Sequence, residues 1–447
     1  MVSRNKPIVK NTVVTAKITD INNLGYGVCR VDGQVCFVAG GVTGDDLSLR
    51  IIKVARDYLV ARIEEMITPS PFRTERACPV SRRCGGCSFD GVDRAHELEL
   101  KRGFVVQAFR KEGLSPTVED VVTDGRIFGY RNKLALPVDG GTVGFYGTHS
   151  HEIVENGGVC ALSSPLIAGP SEFAASLLAR SPIPSLRHVF MRSAEGTGRA
   201  MLCLVCGDRS EATLSAAKSL AEKVTAKFGQ VSGAVLNVNP EQTNVILGKE
   251  YVTLTGDGYL EDELCGLKFR IAPGAFYQVN HDMAQLLYKC AAEKAGLAAG
   301  ESLLDLFCGA GTVGLSMEAD LTGCRLTGVE IVPEAVENAR HNAAVNGMDR
   351  AEFLCADANS VDVGSFDVIA LDPPRKGIAP ELVERIAASG NKRLVYISCN
   401  PATLARDCKL FASRGYTLGT VTPFDLFPRT GHVETVVLMT RTDAGKG

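Results

Sequence analysis

Long hydrophobic runs are missing from this chain of 447 residues: no stretch approaches the roughly eighteen uninterrupted apolar residues that a membrane-spanning helix needs. The opening segment Met1–Asn11 carries charge but no apolar centre of the kind found in a secretory leader. Both absences point to a cytoplasmic protein without a membrane partner. Internal repeats and low-complexity segments are also absent, which excludes a solenoid. A strong net charge is missing too. The 48 Lys and Arg against 51 Asp and Glu leave −3, so composition demands no polyanionic partner. That average conceals a split, since residues 1–133 hold 21 basic against 16 acidic side chains, or +5, leaving −8 for the rest. The excess permits an RNA partner without requiring one.

Cysteine, by contrast, is plentiful and odd in number, at 15. Disulfides do not persist in a cytosolic chain, so free thiols and a metal centre are the readings. With 45% hydrophobic residues at this length, two or three cores can be buried, and several domains are expected.

Three regions differ in pattern. Residues 10–70 alternate in short strands broken by Gly25, Gly33 and Gly40 to Gly44, which predicts five strands in a small OB-like β-barrel. Such a barrel offers a basic face to nucleic acid or serves only as a spacer. Pro69-Ser70-Pro71 reads as a linker. Residues 71–264 open with Cys78, Cys84 and Cys87 and continue as an α+β region, with helices expected near 92–113, Ser164–Ala179 and Glu211–Phe228. Residues 265–447 alternate strand and helix, with strands expected at Ser302–Phe307, Arg325–Glu330, Glu352–Ala356, Phe366–Leu371, Leu394–Ser398 and Thr435–Met439. That alternation predicts a doubly wound, mostly parallel α/β sheet of Rossmann-like type, with ligands at the carboxyl ends of its strands.

In the third region, Gly309-Ala310-Gly311-Thr312-Val313-Gly314 follows a strand and opens a helix, as a dinucleotide-binding loop does. Asp305 speaks against a pyrophosphate there, because it aims a carboxylate at the space the phosphates would fill. S-adenosylmethionine has no phosphate and carries two cationic groups, so it suits that strand end better than NAD. Glu330 is positioned for the ribose hydroxyls, and Asp357 for the adenine amino group. In Asp372-Pro373-Pro374-Arg375 the paired prolines fix an extended turn after the fourth strand.

Ser398-Cys399-Asn400-Pro401 sets a thiol between a buried strand and a helix whose cap is Asn400 and whose first turn holds Pro401. The helix dipole and unpaired amides are expected to lower the pKa of Cys399 and keep it a thiolate nucleophile. The alternative is a half-buried structural cysteine. Cys78-x5-Cys84-x2-Cys87 is a run of soft ligands, and its spacing leaves zinc and a 4Fe–4S cluster equally open.

Together with Gly129-Tyr130-Arg131-Asn132-Lys133, Phe276-Tyr277-Gln278-Val279-Asn280, Leu304 to Gly309 and His432-Val433-Glu434, these motifs resemble, in order and over nearly the whole chain, the RNA uracil-5-methyltransferases. The likeness is to those with an N-terminal TRAM barrel and an iron–sulfur cluster that act on 23S rRNA. The resemblance implies a TRAM-like RNA-binding barrel (10–70), a central α+β domain (71–264) whose 4Fe–4S cluster is held by Cys78, Cys84, Cys87 and Cys160, and a methyltransferase domain (265–447). It implies cofactor contacts at Gln278, Phe307, Thr312, Glu330, Asp357 and Asp372, with Asp305 beside them. RNA contacts are implied at Phe276, Arg131 and Asn132. Thr312 stands where relatives often have Asn, and Ser88-Phe89-Asp90 where they commonly have glutamine. Uracil carbon 5 is too weak a nucleophile to attack a methyl sulfonium, so a thiolate must first add to carbon 6. Cys399 is the candidate, and the resemblance makes Glu434 the base that removes the carbon 5 proton.

An unpaired uridine of 23S rRNA is the favoured target, with transfer RNA the alternative, and the expected state is a monomer. Three rivals lie further off: cytosine-5 methylation of RNA, methylation of a protein or small molecule, and a non-catalytic RNA chaperone. Neither of the last two requires both Cys399 and Glu434.

Overall fold

The computed structural model describes residues 8–441 apart from 149, 242, 320–322 and 365. The start of the segment Met1–Asn11 therefore lies outside the described residues. The chain forms two compact units. One runs to Gln107 and takes in Arg429–His432; the other comprises Ala108–Pro428 and the chain from Val433 onward.

In the first unit, six strands make one sheet: Val13–Lys17, Asp20–Ile21, Tyr26–Val31, Gln34–Ala39, Asp46–Val54 and Tyr58–Thr68. The alternating run from Val13 to Ile21 divides into two strands. Val13–Lys17 pairs with Asp46–Val54, Ile18 N donates to Asp45 O (2.9 Å), and Thr19 N donates to Val28 O (2.8 Å). This run thus supplies the strands at both edges of the sheet. Alternation buries Cys29, Val38, Leu47, Leu49 and Leu59 inside. Pro69–Pro71 is no free linker. The buried Asp45 carboxylate accepts from Ser70 N (2.8 Å) and Val42 N (2.6 Å) and pairs with Arg73 (2.5 Å), so the segment is tied to the barrel. The helix Arg94–Lys111, which begins in this unit, buries Glu97 and Lys101 together, 3.0 Å apart. A buried ion pair is costly to desolvate, and here each partner is held by the other one turn away.

The second unit holds two seven-stranded sheets. The central one carries the helices Pro165–Leu178 and Glu211–Lys227, capped by Ser164 and Ser210. Leu134, Leu136, Val189 and Leu202 face those helices. A separate core joins Phe190 and Cys203 on the other side of this sheet to Leu287, Leu303, Val395 and Val436. The two sheets therefore share one apolar core.

The C-terminal sheet runs Glu352–Cys355, Arg325–Glu330, Ser302–Leu306, Val368–Leu371, Arg393–Ser398, Glu434–Arg441, Tyr416–Phe424. Its first five strands are parallel, Glu434–Arg441 runs antiparallel to Arg393–Ser398, and Tyr416–Phe424 runs antiparallel to Glu434–Arg441. Tyr416–Phe424 was not expected as a strand; a register shift between Leu418 and Val421, together with Pro423, breaks its alternation. Strand order reverses beside Ser302–Leu306, and a ligand crevice opens at such a point.

Candidate active site

Buried apolar strands carry the site's acidic groups to the carboxyl edge of this sheet. Ser302–Leu306 is wholly buried, so Asp305 has no exposure. One of its oxygens accepts from Gly314 N at 2.9 Å; the other has no hydrogen-bond partner. A Cβ at position 314 would meet that carboxylate at 2.8 Å, so only glycine lets the loop close on it. Burial, reinforced by Asp372 and Glu330, pushes the Asp305 carboxyl up to about 8.

Phe307 follows in the left-handed region at φ 67°, and both Phe307 N and Cys308 N donate to Val329 O. A bulky side chain at positive φ is held there at a cost, which is characteristic of functional sites. Glu330 accepts from Gly309 N (3.2 Å), Ile331 N (2.8 Å) and Val332 N (2.9 Å), pinning the glycine loop to the next strand. Phe307, Glu330, Ile331, Asp357, Pro374 and Ile378 line a cavity of about 240 Å³. Asp357 is exposed, and its carboxylate holds Asn359 at 2.8 Å.

Asp372 follows Val368–Leu371, and its turn is fastened to the helix Pro401–Ala412. Asn400 Nδ2 (3.0 Å) and Thr403 Oγ1 (3.2 Å) donate to Arg375 O, while the Asp407 carboxylate accepts from Ile378 N (3.1 Å) and the Tyr396 hydroxyl (2.7 Å). The Asn400 side chain also caps this helix, accepting from Ala402 N at 3.1 Å. Cys399 thus sits at the joint of strand and helix, as the sequence predicts. Its strand pairs antiparallel with Glu434–Arg441, Ser398 opposite Thr435, so Cys399 and Glu434 come level one step further along.

The charge state of this thiol departs from expectation. Burial, then Glu434, then Asp372 push Cys399 up to about 11, with Arg375 opposing. Two carboxyl groups and lost solvation outweigh the helix start. Burial and Asp372 push buried Glu434 up to about 8, and burial alone takes Asp372 to about 7.

Two further residues came without a sequence signal for a role. Tyr288 is buried in the helix His281–Ala295, where its position reads as core. Its hydroxyl meets Thr312 Oγ1 at 3.3 Å and the Gln278 side chain, and the Asp372 charge reaches it. Arg375 is the cation that acts on both Cys399 and Glu434.

Phe276 is 68% exposed and available to stack. Asn132 is not available: it is buried, and its amide donates to Gln278 O at 2.8 Å, bracing the cofactor-side segment instead of meeting RNA. Arg131 is half-buried. Tyr277 is core, its hydroxyl on Asp262 at 3.0 Å.

Cys78, Cys84 and Cys87 belong to the first unit and Cys160 to the second, all half-buried and none in a disulfide. Among the described residues no three His, Cys, Asp or Glu side chains gather to hold a metal ion. The cysteine loop is held by other means. Asp90 accepts from Ala77 N (3.1 Å) and Cys78 N (3.3 Å), and Gly85 turns left-handed after Cys84. Asp90 and buried Phe89 stand in the stretch where glutamine is common, so that departure is structural. Among the described residues, too, no helix is long and apolar enough to cross a membrane.

A glycine loop closed over a buried carboxylate, a cavity beside it and an Asp-Pro-Pro turn across the strand-order switch define a methyltransferase domain, and residues 297–418 match the family model of that description. An uncharacterized RNA methyltransferase of Clostridium acetobutylicum is 34% identical, with 98% of this chain and 99% of that protein covered. One of Gloeobacter violaceus is 35% identical over 97% of this chain and 98% of its own. The chain belongs to this family of RNA methyltransferases. Among solved structures, the tRNA (uracil-54, C5)-methyltransferase of Pyrococcus abyssi, in complex with S-adenosyl-L-homocysteine, superposes with a TM-score of 0.77 at 25% identity, covering 95% of this chain and all of that one.

Proposed function

We propose that this protein methylates carbon 5 of a uridine in RNA, with Cys399 as nucleophile and Glu434 as base. The observation that carries the proposal is the pairing of that thiol with that carboxyl on neighbouring antiparallel strands, beside Asp372. A methyltransferase acting on nitrogen needs neither group.

The acidic pocket fits S-adenosylmethionine, because a buried Asp305 oxygen without a partner and the raised Asp372 both favour a cationic ligand. Glu330 and Asp357 would hold the adenosine end; Asp305, Asp372, Gln278 and Thr312 would border the amino acid end. When bound, this cofactor supplies the methyl group as an electrophile.

The chain's own residues do the rest. Exposed Phe276 stacks on a base taken out of its helix or loop. Cys399 must lose its proton to solvent, and a cationic neighbour, Arg375, assists by offsetting the carboxylates that raise the thiol. The thiolate then forms a bond to carbon 6, and the electron pair of the 5,6 double bond moves to carbon 5 and the carbonyl at carbon 4. Once carbon 5 bears both methyl and hydrogen, Glu434 takes the hydrogen as a proton. The electron pair left behind restores the double bond and expels the Cys399 sulfur.

The 23S rRNA target favoured by sequence resemblance stands beside a second reading, a transfer RNA target, which likeness to the Pyrococcus abyssi tRNA (uracil-54, C5)-methyltransferase supports. Only the resemblance supports a TRAM role for the barrel and 4Fe–4S ligation by Cys78, Cys84, Cys87 and Cys160. Iron and acid-labile sulfide analysis of anaerobically purified protein tests the latter, and no step above passes through a cluster.

The central test is a trap. Transcripts of ribosomal and transfer RNA bearing 5-fluorouridine cannot yield the carbon 5 proton, so with S-adenosylmethionine they should form a denaturation-resistant conjugate. Cys399→Ala should form none and make no 5-methyluridine by mass spectrometry. A Cys399→Ala protein with normal turnover would end the proposal.

A further inference from the structure

The face of the central sheet turned toward the shared core carries Lys133 and Arg192, on which, among the described residues, no carboxylate acts. Along Lys133–Asp139, Leu134 and Leu136 enter the core beneath the two helices, so Lys133 and Ala135 take the opposite face, where Ala135 packs on the core shared with the methyltransferase sheet. Antiparallel register sets Arg192 directly across from Lys133, on a strand whose Phe190 and Ala194 belong to that same core. Arg131 lies two residues before Lys133, with Nε on the Lys133 carbonyl at 3.2 Å.

Arg192 is only 2% exposed. Its Nη1 donates to the carbonyls of Ala272 (3.1 Å) and Ala275 (2.8 Å), in the turn that leads into Phe276, while its Nε has no hydrogen-bond partner. The charges acting on Lys133 are those of Arg192 and Arg131; those acting on Arg192 come from Tyr277, Tyr251 and Cys203, and no carboxylate is among them. Burial with these two like charges drives Lys133 down to about 8. A buried guanidinium beside a half-buried ammonium is costly to fold unless an anion completes it.

We infer that Lys133 and Arg192, together with Arg131, form a subsite for a backbone phosphate of the RNA strand, adjoining the nucleotide that Phe276 and Cys399 receive. The inference rests on the uridine-methylation reading. Arg192 clamps the turn before Phe276, so a phosphate held there fixes the register of a base stacked on that ring. Phosphate contacts do this without reading sequence.

The test uses the full chain, a fluorescein-labelled single-stranded uridine oligoribonucleotide, and Lys133→Gln, a change at a half-buried site. Binding should weaken about tenfold, and the slope of log affinity against log salt should fall by about 0.7, the value for one single-strand phosphate contact. Lys133→Arg should keep most of the affinity and the full slope. S-adenosylmethionine affinity by calorimetry should not change. Unaltered RNA affinity and slope in Lys133→Gln would overturn the subsite. So would a variant that instead loses S-adenosylmethionine, since the anion would then be the cofactor carboxylate. Failure of the underlying reading looks different: wild-type protein would produce no 5-methyluridine at all.

Discussion

Two regions of the second unit mirror each other in charge. At the carboxyl edge of the C-terminal sheet, burial pushes up Asp305, Asp372, Glu434 and Cys399, and neighbouring carboxylates add to it for all but Asp372. On the central sheet, burial pushes Lys133 and Arg192 down, and for Lys133 the like charges of Arg192 and Arg131 add to it. Neither arrangement stabilises the fold. Each carries an electrostatic cost that a ligand of the other sign removes, a cationic methyl donor in one case and a phosphate in the other. The comparison explains why a nucleophile can rest as a neutral thiol: the pocket is tuned to its loaded state.

The largest expected effect breaks the acidic side at its base. Glu434→Gln cannot accept the carbon 5 proton, so turnover should fall by roughly 10²- to 10⁴-fold, the range for a lost general base. Adduct formation precedes that step and should survive. The variant should therefore accumulate a denaturation-resistant conjugate with ordinary, unfluorinated RNA, seen as a retarded band on a denaturing gel. Full turnover without such a band would remove Glu434 from the chemistry.

A second substitution sharpens the comparison. Asp372 is one of two carboxyl groups that raise Cys399, so Asp372→Asn should move the thiol below its wild-type value of about 11. Iodoacetamide alkylation followed against pH reports this directly, because only the thiolate reacts. The half-maximal pH should shift down in the variant, and cofactor affinity should drop about tenfold as a buried anion is lost. The wild type should show the same downward shift when S-adenosylhomocysteine is replaced by the cationic cofactor. An alkylation profile identical in all three states would mean that the carboxylates do not govern the thiol.

Much of this site was legible in order of sequence but not in state. Parallel strands buried on both faces announce themselves as apolar runs, so Ser302–Leu306 and Arg393–Ser398 were placed to within a residue or two. The residues at their carboxyl ends followed. Side-chain ionisation did not follow, because Cys399 responds to Asp372 and Glu434, which are distant in sequence and meet it only through strand order. Asn132 was misread for a similar reason: a polar residue in a basic motif looks like a ligand contact until its amide is seen on Gln278 O. Arg192 was invisible inside the run Leu186–Ala194, and Tyr288 inside an amphipathic helix. The four-cysteine cluster came from resemblance, because the spacing of Cys78, Cys84 and Cys87 leaves zinc and a 4Fe–4S cluster equally open.

The smallest expected effect is on stability, and it separates the two regions by sign. A lysine that falls from 10.5 to about 8 on folding is disfavoured as a cation in the native state, so below pH 8 it opposes folding. Lys133→Met keeps the aliphatic stem and removes the charge. It should raise the unfolding free energy at pH 7 by about 1 to 3 kcal/mol, from the shift at 1.36 kcal/mol per unit with part of it screened. The gain should shrink as pH rises from 8 and vanish above the unfolded value, where the wild-type lysine is neutral in both states. The acidic region has the reverse slope. Asp305, Asp372 and Glu434 bind protons more tightly folded than unfolded, so stability of the ligand-free protein should fall as pH climbs from about 4 through 8. Urea unfolding across that range, with and without the methyl donor, should show the slope flatten only when the cation is present. If Lys133→Met instead destabilises the protein at pH 7, the central-sheet charge is satisfied within the fold, and the symmetry between the two regions fails.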